Sequence, residues 1–187
     1  MNNTDIRPID KTKIVFALST GLLLTGSFPK TGRGWLAWLA LVPLLIALRN
    51  VSVKNAFRLG LLSGLAHYLT LLYWLAYTMN RYGHIPLYLG VPILLLFAAY
   101  LALYTGAFSA IVVRFSPTPL TCVIMIPWVW VSMEYIRTFL FSGFPWELVG
   151  YSQFNRLLLI QIADILGVYG VSFLVMLSNG AIFLVFL

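Results

Sequence analysis

WVSMEYIRTFLFSGFPWELVGYSQ, residues 130–153, and QIADILGVYGVSF, residues 161–173, decide what kind of fold this chain adopts. An apolar run of helical character carries Glu134 and Arg137 into a break at Gly143-Phe144-Pro145-Trp146. Glu147, Arg156 and Asp164 follow before apolar sequence resumes. Of the 5 acidic residues in the chain, all those beyond Asp10 fall in this segment. A charged side chain at lipid depth is costly, so charge gathered in one place among apolar residues marks a candidate functional site.

The surroundings of that segment set the class. The chain has 187 residues, 61% of them hydrophobic and 9% charged, where a soluble domain uses about 25% charged residues to cover its surface. A soluble globular protein is excluded. Crossing the hydrocarbon core takes about 20 apolar residues in a helix, and six such stretches stand at 14–28, 35–48, 56–79, 87–115, 120–141 and 168–187. Unbroken apolar runs favour helices over barrel strands, which alternate between lipid-facing and lumen-facing residues. The expectation is an all-α integral membrane protein, a polytopic bundle of about six transmembrane helices. A tail at 1–13 precedes the transmembrane domain, 14–187, and an interfacial loop with a short helix at 142–167 separates the fifth and sixth spans. The first two stretches are short enough for a tight hairpin, and the fourth is long enough to tilt or kink near Pro92. Ser27-Phe28-Pro29-Lys30 is a poor cleavage site, so the first stretch reads as a retained helix rather than a secretory signal.

The net charge of +7 reads as membrane topology rather than nucleic-acid binding. A cytoplasmic N-terminus places Arg7, Lys11, Lys13, Arg49, Lys54, Arg58 and Arg114 inside. Lys30, Arg33, Arg81, Arg137 and Arg156 then lie outside, in accord with the positive-inside rule. The segment around Trp146 accordingly faces the extracytoplasmic side. Cys122 stands alone, which excludes an internal disulfide and a multi-cysteine metal site, and reads as a small apolar residue. His67 reads as a mid-span histidine bonded to a neighbouring helix, and His84 lies in the loop 80–86. Pro117 and Pro119 end the fourth helix. No Ser-His-Asp set, metal cluster or phosphate-cradling glycine loop is visible, so no cofactor and no metal are expected.

Within the charged segment, Glu134 and Arg137 are three apart and share a helix face. They suit either a buried pair or, through the planar guanidinium of Arg137, contact with a lipid phosphate. Pro145 disfavours helical geometry at Phe144. Phe144 and Trp146 therefore fall in a loop at interface depth, and Tyr151, Ser152 and Gln153 add hydroxyls and an amide. A re-entrant or interfacial loop lining a polar cavity accounts for this density, because irregular backbone at membrane depth needs protein or water to satisfy it. Residues 154–167 read as one short amphipathic helix with Gln161 and Asp164 on a common face, both in structural polar roles. The apolar sequence runs to Leu187 without a polar flank, which reads as a chain truncated within its last span.

At these residues the chain resembles the N-terminal membrane region of bacterial apolipoprotein N-acyltransferases. The resemblance rests on Trp130-x-x-x-Glu134-x-x-Arg137, Gly143-Phe144-Pro145-Trp146, Gly150-Tyr151-Ser152-Gln153, Gln161-x-Ala163 and Gly167-x-Tyr169-Gly170-x-Ser172-Phe173. Phe28-Pro29, Trp35 to Leu45, Tyr73-Trp74, Tyr82-Gly83-x-x-Pro86 and Ala98 to Gly106 are similar as well, so the likeness runs from about Lys13 onward. It implies an enzyme of the bacterial inner membrane that takes an acyl chain from a phospholipid to the N-terminal amine of a diacylglyceryl lipoprotein. In that family the reaction is ping-pong through a thioester on a cysteine of a nitrilase-like domain. That domain is absent here, Cys122 is in the wrong context to be the nucleophile, and no catalytic residue carries over. The resemblance implies that Phe144, Trp146, Tyr151, Gln153 and Arg137 meet membrane lipid or acyl chains. The alternative is a stand-alone lipid-binding or scaffolding module that works with a separate catalytic domain. A small transporter fits less well, since no internal repeat is visible.

Overall fold

The computed structural model describes residues 8–116, 118–141 and 143–186; Arg7, Pro117, Ser142 and Leu187 lie outside the described residues. These regions are helical, without strands. Helix α1, Lys11–Ser27, opens on Asp10, whose carboxylate accepts from the Lys13 amide at 2.8 Å. The short α2, Val42–Ala47, precedes α3, Val53–Leu71, which is capped by Ser52. Helix α4, Trp74–Arg81, follows α3 at a bend of 46°. Helices α5, Leu87–Phe115, and α6, Pro119–Phe139, form the long antiparallel pair. The four-residue α7, Leu157–Ile160, and α8, Ala163–Leu184, close the chain.

Three of these helices, α5, α6 and α8, are long and apolar enough to cross a membrane, and α3 with α4 makes a fourth if the bent pair is one span. The remaining two of the six expected stretches differ. Helix α1 has 17 residues, at the lower end of the roughly 17–25 that span a bilayer. The stretch 35–48 is not one helix: a 3₁₀ segment, Gly34–Trp38, is separated from α2 by a turn. Side chains replace the missing helical bonds there. Asn179 of α8 accepts from the Leu41 amide at 2.8 Å and donates to the Ala37 carbonyl at 2.8 Å, and Thr20 of α1 accepts from the Leu44 amide at 2.9 Å. Buried backbone polar groups must find partners. Here they find them on neighbouring helices, which apolar periodicity does not reveal.

The bundle is built around α3 and α5, which make its most extensive helix contact. Gly60 and Gly64 of α3 lie against Ala102, Thr105 and Ser109 of α5 so closely that a Cβ at Gly60 would sit 2.4 Å from the Thr105 carbonyl oxygen. Small residues let helix backbones approach and gain packing where lipid offers no hydrophobic drive. Pro92 sits inside α5 without ending it. Phe108 of α5 meets Trp130 of α6 with ring centroids 5.1 Å apart, so α5 runs well past the end of α6 toward Leu87. The loop after α6 fills that step, and Phe144 packs edge-on against Phe97 at 5.0 Å.

Residues 154–167 are not one amphipathic helix. A 3₁₀ segment, Val149–Gln153, gives way to non-helical backbone at Arg156, then to α7, and a turn at 161–162 separates α7 from α8. Gly167, the fifth residue of α8, interrupts it with φ 62° and ψ −168°, a conformation essentially reserved for glycine, and this kink falls at the boundary expected between residues 154–167 and the last span. Gln161 and Asp164 are both exposed; the Gln161 amide donates to the Leu157 carbonyl at 3.0 Å, and no hydrogen bond to the Asp164 carboxylate occurs among the described residues.

Candidate functional site

Helix α6 ends in a buried charged clamp on the loop that follows. Glu134 and Arg137 are 4% and 2% exposed, although both are ionisable. Oε1 of Glu134 accepts from Trp130 Nε1 at 2.9 Å, one turn earlier on the same helix, and from the Val149 amide at 2.8 Å. Nη1 of Arg137 donates to the Tyr68 hydroxyl on α3. Its Nη2 donates to the carbonyls of Trp146, at 3.2 Å, and Glu147, at 3.1 Å. The Phe144 amide returns to the Arg137 carbonyl at 2.9 Å. Among the described residues the two charges make no direct ion pair; each is committed mainly to the 144–149 loop. Charge-assisted bonds of this kind are roughly twice as strong as neutral ones, and they hold a loop whose backbone is otherwise irregular. Glu147 itself has φ 60°, a left-handed geometry that non-glycine residues seldom adopt. Burial raises the Glu147 carboxyl above the ordinary carboxylate range, and the positive charge of Arg137 opposes the rise.

The clamp presents aromatic residues on its outer surface. Phe144 is half-buried, 5.8 Å from the Trp146 ring and 5.9 Å beneath the Arg137 guanidinium. Trp146 is 56% exposed and Tyr151 43%. Beside Phe144 lies a groove of about 270 Å³, lined by Phe97, Tyr100, Leu140, Phe141, Gly143 and Phe144. Gln153 is placed differently. It is fully buried, accepts from Trp38 Nε1 at 3.0 Å and donates to the Gly34 carbonyl at 2.7 Å and to Ser152 Oγ at 2.8 Å. It braces the loop against the 3₁₀ segment that begins at Gly34. Gln161 and Asp164 stand apart from the clamp on the exposed face of the 154–167 region. His67 is bonded to a neighbouring helix as expected, its Nδ1 lying 3.0 Å from Thr25 Oγ1 of α1. No group of three metal-ligating side chains occurs among the described residues.

Several participants carry no local signal in the sequence. Tyr68 lies 69 residues from Arg137, and Trp38 lies 115 from Gln153. Ser172, which accepts from the Gly150 amide at 2.9 Å, belongs to a quoted motif, but its partner is 22 residues away. The Trp130–Glu134 bond was legible, since residues four apart on a helix are neighbours.

Fold and site together define a helical bundle of membrane-crossing length in which two buried charges pin an irregular aromatic loop. The family described as apolipoprotein N-acyltransferase N-terminal domain matches residues 20–181, and the chain belongs to it. It is 42% identical over 179 residues to an apolipoprotein N-acyltransferase of Geobacter metallireducens, an alignment covering 96% of this chain and 34% of that protein. The protein of the same name from Pasteurella multocida is 31% identical over 167 residues, covering 89% of this chain and 31% of that protein. Apolipoprotein N-acyltransferase 1 of Treponema denticola is 29% identical over 162 residues, covering 86% and 27%. The chain thus spans about a third or less of the length of these relatives.

Proposed function

We propose that this chain is the membrane domain of a lipoprotein N-acyltransferase and that the clamped loop handles acyl chains for the reaction. The activity moves an acyl chain from a phospholipid to the amine of a diacylglyceryl lipoprotein in the bacterial inner membrane. The N-terminus is cytoplasmic and the loop lies on the opposite side. The nucleophile belongs to a catalytic domain outside this chain, so the chain by itself transfers nothing. Its own contribution is positional. Arg137 and Glu134 hold the loop, Gln153 braces it, and Phe144, Trp146 and Tyr151 offer apolar and aromatic surface.

The observation that carries this reading is the groove of about 270 Å³ beside Phe144. Its volume falls just below the roughly 300–1,000 Å³ usual for small-molecule sites. Its walls are aromatic and aliphatic, chemistry suited to a methylene chain rather than a headgroup. The test is Trp146→Ala, together with Phe144→Ala, in a full-length relative such as the Geobacter protein. Acyl transfer from labelled phospholipid to a lipopeptide should fall at unchanged membrane abundance. Wild-type rates for both variants refute the acyl-handling role.

A further inference from the structure

We propose that a second lipid site, separate from the Phe144 groove, lies at α7, where Arg156 and Asn155 hold the phosphate of an anionic phospholipid and the leucines that follow meet its chains. An open cleft of about 650 Å³ is lined there by Trp38, Gln153, Asn155, Arg156 and Leu157 to Leu159. It shares no lining residue with the groove beside Phe144, and it does not rest on the acyl-handling reading. The order of its residues is that of a membrane interface. Leu157 and Leu158 are 69% and 94% exposed, in a segment that leads directly into α8, a helix long enough to cross a membrane. Leucines so exposed are unfavourable in water and favourable in hydrocarbon. Arg156 and Asn155, also exposed, come immediately before them. An arginine at such a boundary lays its stem along apolar surface and turns its charged end to the headgroup layer.

The donor set selects the ligand. A guanidinium presents a planar fork of donors that matches phosphate oxygens, and the Asn155 amide adds N–H donors of its own. Among the described residues no carboxylate lines the cleft. The amine of a zwitterionic headgroup therefore finds no counter-charge, whereas a headgroup of net negative charge does. The volume lies within the roughly 300–1,000 Å³ usual for small-molecule sites, room for a headgroup and the start of its chains. The walls are fixed in advance. Trp38 donates from Nε1 to the buried Gln153 at 3.0 Å, and its carbonyl accepts from Ser178 Oγ at 3.2 Å. The Arg156 amide donates to the Gln153 carbonyl at 2.8 Å, and the Arg156 carbonyl accepts from the Leu159 amide at 2.9 Å. A backbone held in this way needs little rearrangement when a lipid binds.

Photolabelling of the chain in nanodiscs tests it. The probe is phosphatidylglycerol with a diazirine near its glycerol backbone, and phosphatidylcholine carrying the same group is the comparison. Phosphatidylglycerol should label residues 155–159, mapped by peptide mass, several-fold more than phosphatidylcholine does. Arg156→Gln should lower that labelling about tenfold, the effect of a lost charge-assisted contact. Arg81→Gln, which removes an exposed cation at the end of α4, should leave it unchanged. Inorganic phosphate at millimolar concentration should not compete; competition assigns the site to free phosphate and overturns the lipid. Equal labelling by the two lipids overturns the proposal, as does full labelling of Arg156→Gln in protein that is folded by circular dichroism. Loss of labelling at the corresponding segment of the full-length Geobacter protein overturns it too, because the further sequence of that protein then covers the cleft.

Discussion

The seam between α3 and α5 and the clamp at the end of α6 are both buried, and they achieve close contact by opposite means. At the seam, Gly60 and Gly64 remove side chains so that backbones touch Thr105 and Ala102. At the clamp, two long ionisable side chains reach out of a helix to hold a loop that has no regular backbone bonds of its own. The seam is therefore sensitive to added volume and indifferent to charge. The clamp is sensitive to lost charge and lost donors. One locks helices whose direction is already set; the other shapes the segment that carries the proposed site.

Substitutions separate the two kinds of contact. Arg137→Ala should have the largest effect, about 3–5 kcal/mol of lost stability, because it leaves a buried carboxylate uncompensated. It also strands the Trp146 and Glu147 carbonyls. Unfolding in detergent or bicelles measures it, and a loss below 1 kcal/mol, on the order of a surface pair, removes the clamp as a structural element. Gly60→Ala should cost about 1–3 kcal/mol through overpacking, since the new Cβ meets the Thr105 carbonyl at 2.4 Å and Ser109 Oγ closer still. The same assay checks it, and a neutral result means that the seam can open without loss.

Glu147 provides a smaller effect that belongs to the clamp alone. Its carboxyl is raised in the folded protein, chiefly by burial, against the attraction of Arg137. The folded state therefore holds the proton more tightly than the unfolded one. The stability from this group is fully present below the ordinary glutamate range and is lost as pH rises through the raised value. Glu147→Gln should flatten that fall in a pH series of unfolding midpoints; an unchanged slope assigns the pH dependence elsewhere. Smallest of all should be Leu158→Ala. With Leu158 94% exposed, the change stays within about 0.5 kcal/mol, which makes it the control for both regions.

Much of this was legible from residue order. The long apolar runs at 87–115 and 120–141 correspond closely to α5 and α6, because a stretch of that length and composition has few alternatives to a helix. The break after α6 was visible in Gly143 and Pro145, and the Glu134 and Arg137 spacing placed both on one face. The stretch 35–48 misled, since its apolar content resembles a span while its backbone is broken and satisfied by Asn179 and Thr20 from other helices. Residues 154–167 misled for a related reason. Arg156 leaves helical geometry ahead of α7 and a turn at 161–162 separates α7 from α8, breaks that an apolar periodicity count does not register.

What the sequence determined by itself was the helical class, the family and the segment where charge collects, because composition, run length and ordered motifs are local quantities. What only the tertiary structure decided was how that charge is used. Glu134 and Arg137 look like partners along the chain, yet the fold turns one toward Val149 and the other toward Tyr68, Trp146 and Glu147. Gln153, grouped by sequence with the exposed Tyr151, is buried and bonded to Trp38 and Gly34. Hydrogen-bond partners are chosen by proximity in space, and for buried polar groups the nearest unsatisfied backbone wins over the nearest residue in sequence.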